Sequence, residues 1–396
     1  MSLIFIECLF LSACLIFLMG INPFVRKWKN LVLYACGGFF LTLIVSYVFL
    51  CFFEVQLSFY LIVVFSLFFV TKYLLNESGV EKAKPRKDED TFILGSESGQ
   101  LEFYYPRDNF MVLGGAGSGK TASIGKPILE QYIRYGWAGF IYDYKDYDYT
   151  KTAWNLVQKY KYPYKFYYIS FTDMSRTYRF NILNKNVIRN ETMLFQAMTD
   201  FFNAMKPEKG NTDEWFQAAL GLLCGVAVRF YKFQGDYEKY CTLPHILNFI
   251  LMATPEQLTR FLEGDMMSKM KAGAFLGSKG SERTQSSVIF SINNYISNLA
   301  TNKNVCYVLS GNDFIYDLID PEDPKLFAVS NNFAIESMIS PIVAMLVPLA
   351  ARRIEFGNRV KFAFVLDEMT TVKVNDFQSL PSVLREYGVS FLVLTQ

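Results

Sequence analysis

Apolar and polar positions follow three regimes along the chain. Residues 1–76 hold three long apolar runs, Leu3 to Gly20, Leu31 to Phe53 and Leu57 to Leu75, each near the ~20 residues with which a helix crosses the hydrocarbon of a bilayer. Residues 77–90 are polar and of mixed charge, the composition of a linker. Beyond them come short apolar runs that read as buried strands: Phe110 to Leu113, the run within "GWAGFIYDYKDYD", Phe362 to Leu366, and the final "VSFLVLTQ". Between about Asn190 and Thr301 the period becomes helical. "NETMLFQAMTDFFNAM", "TDEWFQAALGLLCGVAVRFY", "LPHILNFILM", "TPEQLTRFLEGD" and "TQSSVIFSINNYISNLA" place apolar residues at i, i+3, i+4, with Asn190, Thr212 and Thr254 at capping positions. Strand-like runs return at "NVCYVLSG" and "KLFAVSN". The pattern predicts membrane α-helices plus an α/β fold: three transmembrane helices over 1–76, a linker over 77–90, an α/β domain in two parts, 91–189 and 304–396, and an all-α domain inserted over 190–303.

Charge orients the membrane segment. "NPFVRKWKN" carries Arg26, Lys27 and Lys29 between the first two runs, the second connection offers Glu54, and Lys72, Lys82, Lys84, Arg86 and Lys87 follow the third. The positive-inside rule puts the first loop and everything after residue 76 in the cytoplasm and the N-terminus outside. "MSLIFIE" lacks the basic start of a cleaved signal peptide, so the first run is read as a retained helix. Glu7 within it sits at the interface or at a helix contact.

Composition narrows the chemistry. Hydrophobic residues make up 52% of 396, and the net charge of +2 selects no acidic partner; nucleic acid, if bound, meets a local surface. Four of seven cysteines lie in the apolar runs, and Cys224, Cys241 and Cys306 show no CxxC spacing, which argues against zinc and disulfides. The single histidine, His245, excludes His-based triads and reads as a satisfied helix residue.

"NFMVLGGAGSGKTASIGKPILEQYI" sets a strand, a glycine-rich loop and an amphipathic helix in series. Gly114, Gly115, Ala116, Gly117, Ser118, Gly119, Lys120 and Thr121 fit G-x-x-x-x-G-K-[ST], in which backbone N–H groups and the helix N-terminus wrap phosphates. Lys120 would reach the β and γ phosphates of ATP, and Thr121 would ligate Mg²⁺. In "VKFAFVLDEMTTV" the strand ends on Asp367, placed to hold Mg²⁺, and Glu368, placed to polarise the attacking water; the pair fits a RecA-like or AAA-type motor. A strand ending in a solvated acidic turn is the other reading. Asp143, Lys145 and Asp146 end a further strand, either facing the nucleotide crevice or serving as turn residues. "SKMKAGAFLGSKGSERTQ", with Lys269, Lys271, Lys279 and Arg283, reads as a flexible basic loop that contacts nucleic-acid phosphates or merely links helices.

The order of these features resembles the type IV coupling proteins, the TraG/TraD-like ATPases of conjugation and type IV secretion. The likeness rests on "GGAGSGKT", "IYDYK", "RFNIL" (Arg179 to Leu183), "FVLDE", "LREYG" (Leu384 to Gly388) and "LTQ", and covers nearly the whole chain. It departs from the family at Ile182, where proline is usual, and after Lys145, where glycine is usual. The resemblance implies a RecA-like P-loop NTPase domain, Arg385 reaching a neighbouring subunit's nucleotide, and Gln396 sensing the γ-phosphate. It also implies a homo-hexameric ATPase in the bacterial inner membrane that moves single-stranded DNA with a relaxase toward a type IV secretion channel. Rival readings are a double-stranded DNA translocase of the FtsK type and an ATP-binding membrane receptor without motor activity. Ending on Gln396 at the tip of a core strand, the chain reads as a coupling ATPase truncated at its C-terminus, its second part incomplete at that edge.

Overall fold

A computed structural model describes residues 90–96, 99–206, 214–233, 239–355 and 357–395. The three apolar runs with Glu7, the linker up to residue 89, Thr212 and Gln396 lie outside these. Among the described residues no helix is long and apolar enough to cross a membrane.

Six strands form one wholly parallel sheet: β3 (Phe110–Leu113), β4 (Ala138–Asp143), β5 (Lys165–Ile169), β6 (Lys325–Ser330), β7 (Phe362–Leu366) and β8 (Val389–Thr395), in the spatial order β3-β8-β7-β4-β6-β5. The strands β4, β6, β7 and β8 are buried at every position. Strands in a parallel sheet are covered on both faces, which is why these segments read as unbroken apolar runs without alternation. At the β3 edge the pattern changes: Val112 is buried while Met111 and Leu113 are 70% and 67% exposed. The final strand lies inside the sheet between β3 and β7, beside the strand that ends on the acidic pair. A small antiparallel hairpin, β1 (Phe92–Ser96) with β2 (Gly99–Phe103), precedes the sheet and has no counterpart in the sequence reading.

Each sheet face carries its own apolar cluster. One is closed by α1 (Lys126–Arg134), α2 (Asp148–Tyr160) and the hairpin, with Phe92, Tyr132, Trp137 and Tyr149 at its centre. The other unites Phe140, Tyr142 and Phe364 of the sheet with a helical layer. That layer comprises α3 (Glu191–Ala204), α4 (Glu214–Lys232), α5 (Leu243–Met252), α6 (Pro255–Glu263), α7 (Met266–Lys271), α8 (Gly273–Gly277), α9 (Glu282–Ala300), α10 (Lys303–Leu309) and α11 (Glu336–Ala351). Caps set several starts: the Asn190 side chain accepts from Met193 N, and Thr254 with Gln257 closes a reciprocal capping box. Asp200 on α3 pairs with Arg352 at 2.6 Å and accepts from Asn375 at 3.0 Å, tying the helical layer to the segment after β7.

Two local expectations are corrected. "NVCYVLSG" is the helix α10 rather than a strand. Asn302 accepts from Asn304 N and Val305 N, and the resulting turn buries Val305, Val308 and Leu309 at helical spacing, outweighing the β-branched composition. The segment read as a flexible basic loop is folded into α7, α8 and the start of α9. Ser268, Ala272 and Phe275 are buried there, Lys279 pairs with Glu263 at 3.0 Å, and the Lys271 ammonium lies 4.0 Å from the Phe195 ring centre.

Candidate nucleotide site

The loop after β3 folds as its composition requires. Gly117 and Gly119 take φ of 75° and 83°, left-handed values that cost an L-residue with a side chain. The chain then enters a wide π-type turn, Lys120–Gly125, that leads into α1. Ala116 and Ser118 are exposed at the loop crest, with Gly115 and Gly117. Gly114 N donates to Thr395 O at 3.3 Å, so the loop is rooted on β8. Lys120 is buried; its ammonium donates to Gly114 O and, at 3.2 Å, to Gly115 O, which aims it into the concavity of the loop.

At the same end of the sheet, β7 delivers Asp367. Its carboxylate is buried, and neither oxygen has a hydrogen-bond partner among the described residues. Burial raises its pKa to about 6, against the pull of the Lys145 ammonium and with a further push from Glu368. An ionised group in this position needs a cation or donors. Carboxylate and hydroxyl oxygens, such as those of Asp367 and Thr121, are hard donors of the kind Mg²⁺ prefers. Glu368 is buried and holds φ 47° and ψ 51°, a left-handed conformation for a non-glycine residue, of the sort that persists at sites where function requires it.

The strand β4 supplies three further polar groups with distinct roles. Asp143, fully buried, accepts from Thr150 N and Thr150 Oγ1 at 2.8 Å each and from Lys145 N at 3.3 Å, so it anchors the first turn of α2. Burial raises its pKa while these bonds oppose the rise. Lys145 Nζ donates to Thr121 Oγ1 at 3.1 Å and belongs to the site. Asp146 has φ 48°, so the residue standing where the resembled family carries glycine adopts a glycine-like backbone, which aspartate tolerates better than most.

Arg385 ends the short helix α12 (Leu380–Arg385) and pairs at 3.5 Å with Asp108, both side chains more than half exposed. The described contacts bring it to Asp108 and to no residue of the glycine-rich loop. Gln396 lies outside the described residues. In the "RFNIL" turn, Asn181 accepts from Leu183 N and donates to Cys241 O, both at 2.9 Å, while Arg179 pairs with Asp313 at 3.1 Å. Ile182, in place of proline, is buried. Tyr149 escaped the sequence reading: it is one of four tyrosines between residues 142 and 149, and only the fold separates the buried Tyr142 and Tyr149 from their half-buried neighbours.

A phosphate loop at the carboxyl end of β3, with an unpartnered buried carboxylate on β7 and one strand between them, defines a P-loop NTPase with a RecA-like α/β fold. The chain belongs to the family described as Type IV secretory system Conjugative DNA transfer, which matches residues 69–396. Its fold is similar to the bacterial conjugative coupling protein TrwBdeltaN70 in an unbound monoclinic form (TM-score 0.58, 17% identity, 79% of this chain and 68% of that chain). It is also similar to the plasmid coupling protein TrwB in complex with ADP and Mg²⁺ (TM-score 0.58, 17% identity, 80% and 69%). A third similar structure is TrwB with the non-hydrolysable ATP analogue ADPNP (TM-score 0.54, 18% identity, 74% and 64%). No curated protein matches the chain significantly.

Proposed function

We propose that this chain is the ATPase that couples a DNA and relaxase substrate to a type IV secretion channel and drives single-stranded DNA transfer by hydrolysing ATP. The observation carrying the reading is the convergence of Lys120, Thr121, Lys145 and the bare Asp367 carboxylate at one end of a parallel sheet. The family match supplies the cargo class, and the ADP and Mg²⁺ complex of TrwB supports the ligands.

In this reading the loop amides from Gly114 to Thr121 hold the phosphates, and Lys120 turns from the loop carbonyls to the β and γ oxygens. Thr121 and Asp367 would hold Mg²⁺, which would supply charge neutralisation at the phosphates. Glu368 takes a proton from the attacking water. Arg385 would exchange its loose partner Asp108 for the nucleotide of an adjacent subunit in a homo-hexamer, where a guanidinium stabilises charge on the transferring group. Gln396 would sense the γ-phosphate. The helical region 190–303 is assigned to cargo recognition, and the apolar runs of 1–76 to three spans of a bacterial inner membrane that leave the ATPase in the cytoplasm.

The test is ATP hydrolysis by the assembled chain with single-stranded DNA, compared with Lys120→Ala. Hydrolysis that disappears in the variant supports the reading. Hydrolysis that survives the substitution, or that is absent from the unaltered chain, overturns it.

A further inference from the structure

Lys145 follows β4 by two residues, and its ammonium donates to Thr121 Oγ1 at 3.1 Å. That oxygen is the one assigned above to Mg²⁺. A hydroxyl presents two acceptor lone pairs, and the ammonium takes one of them. A magnesium ion at ~2.1 Å on the other would leave the two cations roughly 4 Å apart with a single oxygen between them, where like charges repel strongly. Lysine and metal therefore compete for Thr121.

The backbone holds the base of this lysine still. Asp146 and Tyr147 take φ of 48° and 70°, two successive left-handed residues with no glycine, a conformation that persists only where the surroundings fix it. Asp146 N donates to Asn331 O at 3.2 Å, Tyr147 N to Ser330 Oγ at 3.0 Å and the Tyr147 hydroxyl to Arg176 O at 2.8 Å, so the turn is fastened to the end of β6 and to the segment after β5. The Lys145 side chain, by contrast, is exposed. Beside it opens a cavity of about 610 Å³ whose lining includes Lys145, Lys151, Asp146 and Asp173, which offers a displaced ammonium both space and carboxylates.

We propose that the Lys145 ammonium is a resident counter-cation of the nucleotide site: it holds the Thr121 oxygen against a divalent ion and must turn into the neighbouring cavity for that ion to bind. The inference deepens the ATP and Mg²⁺ reading above and rests on it. Lys145 is a positioning residue here, acting on the metal through Thr121.

The experiment follows free Mn²⁺, which favours the same oxygen ligands as Mg²⁺, by electron paramagnetic resonance as it is titrated into the 396-residue chain with equimolar ADP. Removing a competing hydrogen bond from a charged donor predicts roughly tenfold tighter Mn²⁺ binding in Lys145→Met than in the unaltered chain. Lys145→Ala should give the same gain, and thermal melts in EDTA report that each variant folds. Lys151→Met removes a charge from the same cavity while leaving the Lys145 contact in place, and should not change Mn²⁺ affinity. Equal or weaker Mn²⁺ binding in Lys145→Met overturns the proposal and leaves the functional reading intact. An equal gain in Lys151→Met also overturns it, assigning the effect to charge alone. If no chain takes up Mn²⁺ beyond what ADP alone binds, the functional reading fails and this one with it.

Discussion

Replacing Asp367 with asparagine should stabilise the metal-free protein, although the substitution removes a residue assigned to the site. The folded structure lifts the carboxyl from its ordinary 3.8 to about 6. At 1.36 kcal/mol per pH unit, that displacement corresponds to about 3 kcal/mol. The sign follows from proton linkage. Between pH 4 and 6 the folded state holds a proton that the unfolded chain has released, so the protonated acid contributes stability that is present below pH 4 and lost as pH rises through 6. Asparagine is neutral throughout and resembles the protonated acid. The variant should therefore match the parent near pH 4 and exceed it by up to about 3 kcal/mol at pH 7.5, a rise in melting temperature on the order of 5 °C. Thermal melts of both chains in EDTA at the two pH values provide the check. A gain at pH 7.5 that persists unchanged at pH 4, or no gain at either, would refute the argument that an uncompensated charge is held there. Adding Mg²⁺ and ADP should narrow the gap at pH 7.5, because ligands that bind the parent better stabilise it more.

Other substitutions address separate parts of the argument. Glu368→Gln should keep nucleotide affinity in an equilibrium titration and lower steady-state ATP hydrolysis by roughly 10²–10⁴-fold, the range for loss of a general base; unchanged turnover would remove Glu368 from the mechanism. Asp200→Ala should cost about 3 kcal/mol of unfolding free energy in a denaturant titration, the low side for a broken buried ion pair because Arg352 is still 30% exposed and can turn to solvent. Asp146→Gly should leave hydrolysis intact and the melting temperature unchanged or higher, since the backbone at φ 48° already has the conformation glycine prefers. The pair Met111→Lys with Leu113→Lys should reduce light scattering of concentrated protein, because an edge strand with exposed apolar side chains invites pairing with another chain.

Much of the site was legible because its chemistry is local in sequence. The strands β3 and β7 begin and end where the apolar runs Phe110 to Leu113 and Phe362 to Leu366 do, and the loop and acidic pair adjoin them directly. Helix starts at Asn190 and Thr254 were readable for the same reason, since a cap acts within three residues. Strand order was not readable: nothing in "VSFLVLTQ" says that its neighbours are β3 and β7, because pairing between distant segments depends on tertiary packing. Composition misled at "NVCYVLSG", where one asparagine before the run decided for helix. It misled again in the lysine-rich segment after Met266, where Phe275 and Ala272 are buried and fold the chain down. Tyr149 was unreadable as a packing residue because what surrounds its hydroxyl, Gly125 and Leu394, is distant in sequence.

The placement of β8 has a mechanical consequence. This strand is hydrogen-bonded along one side to β3 and along the other to β7, and its last described carbonyl also receives the first amide of the phosphate loop. All seven of its residues are buried, so a slip of one residue, about 3.3 Å, would turn every side chain to the opposite face. The strand thus behaves as a stiff rod fixed between two jaws, with the phosphate grip on one and the acid pair on the other. Opening or closing by sliding is closed to it. Movement at the site then falls to side chains, and Lys145, exposed and donating to Thr121 Oγ1, is one that can swing.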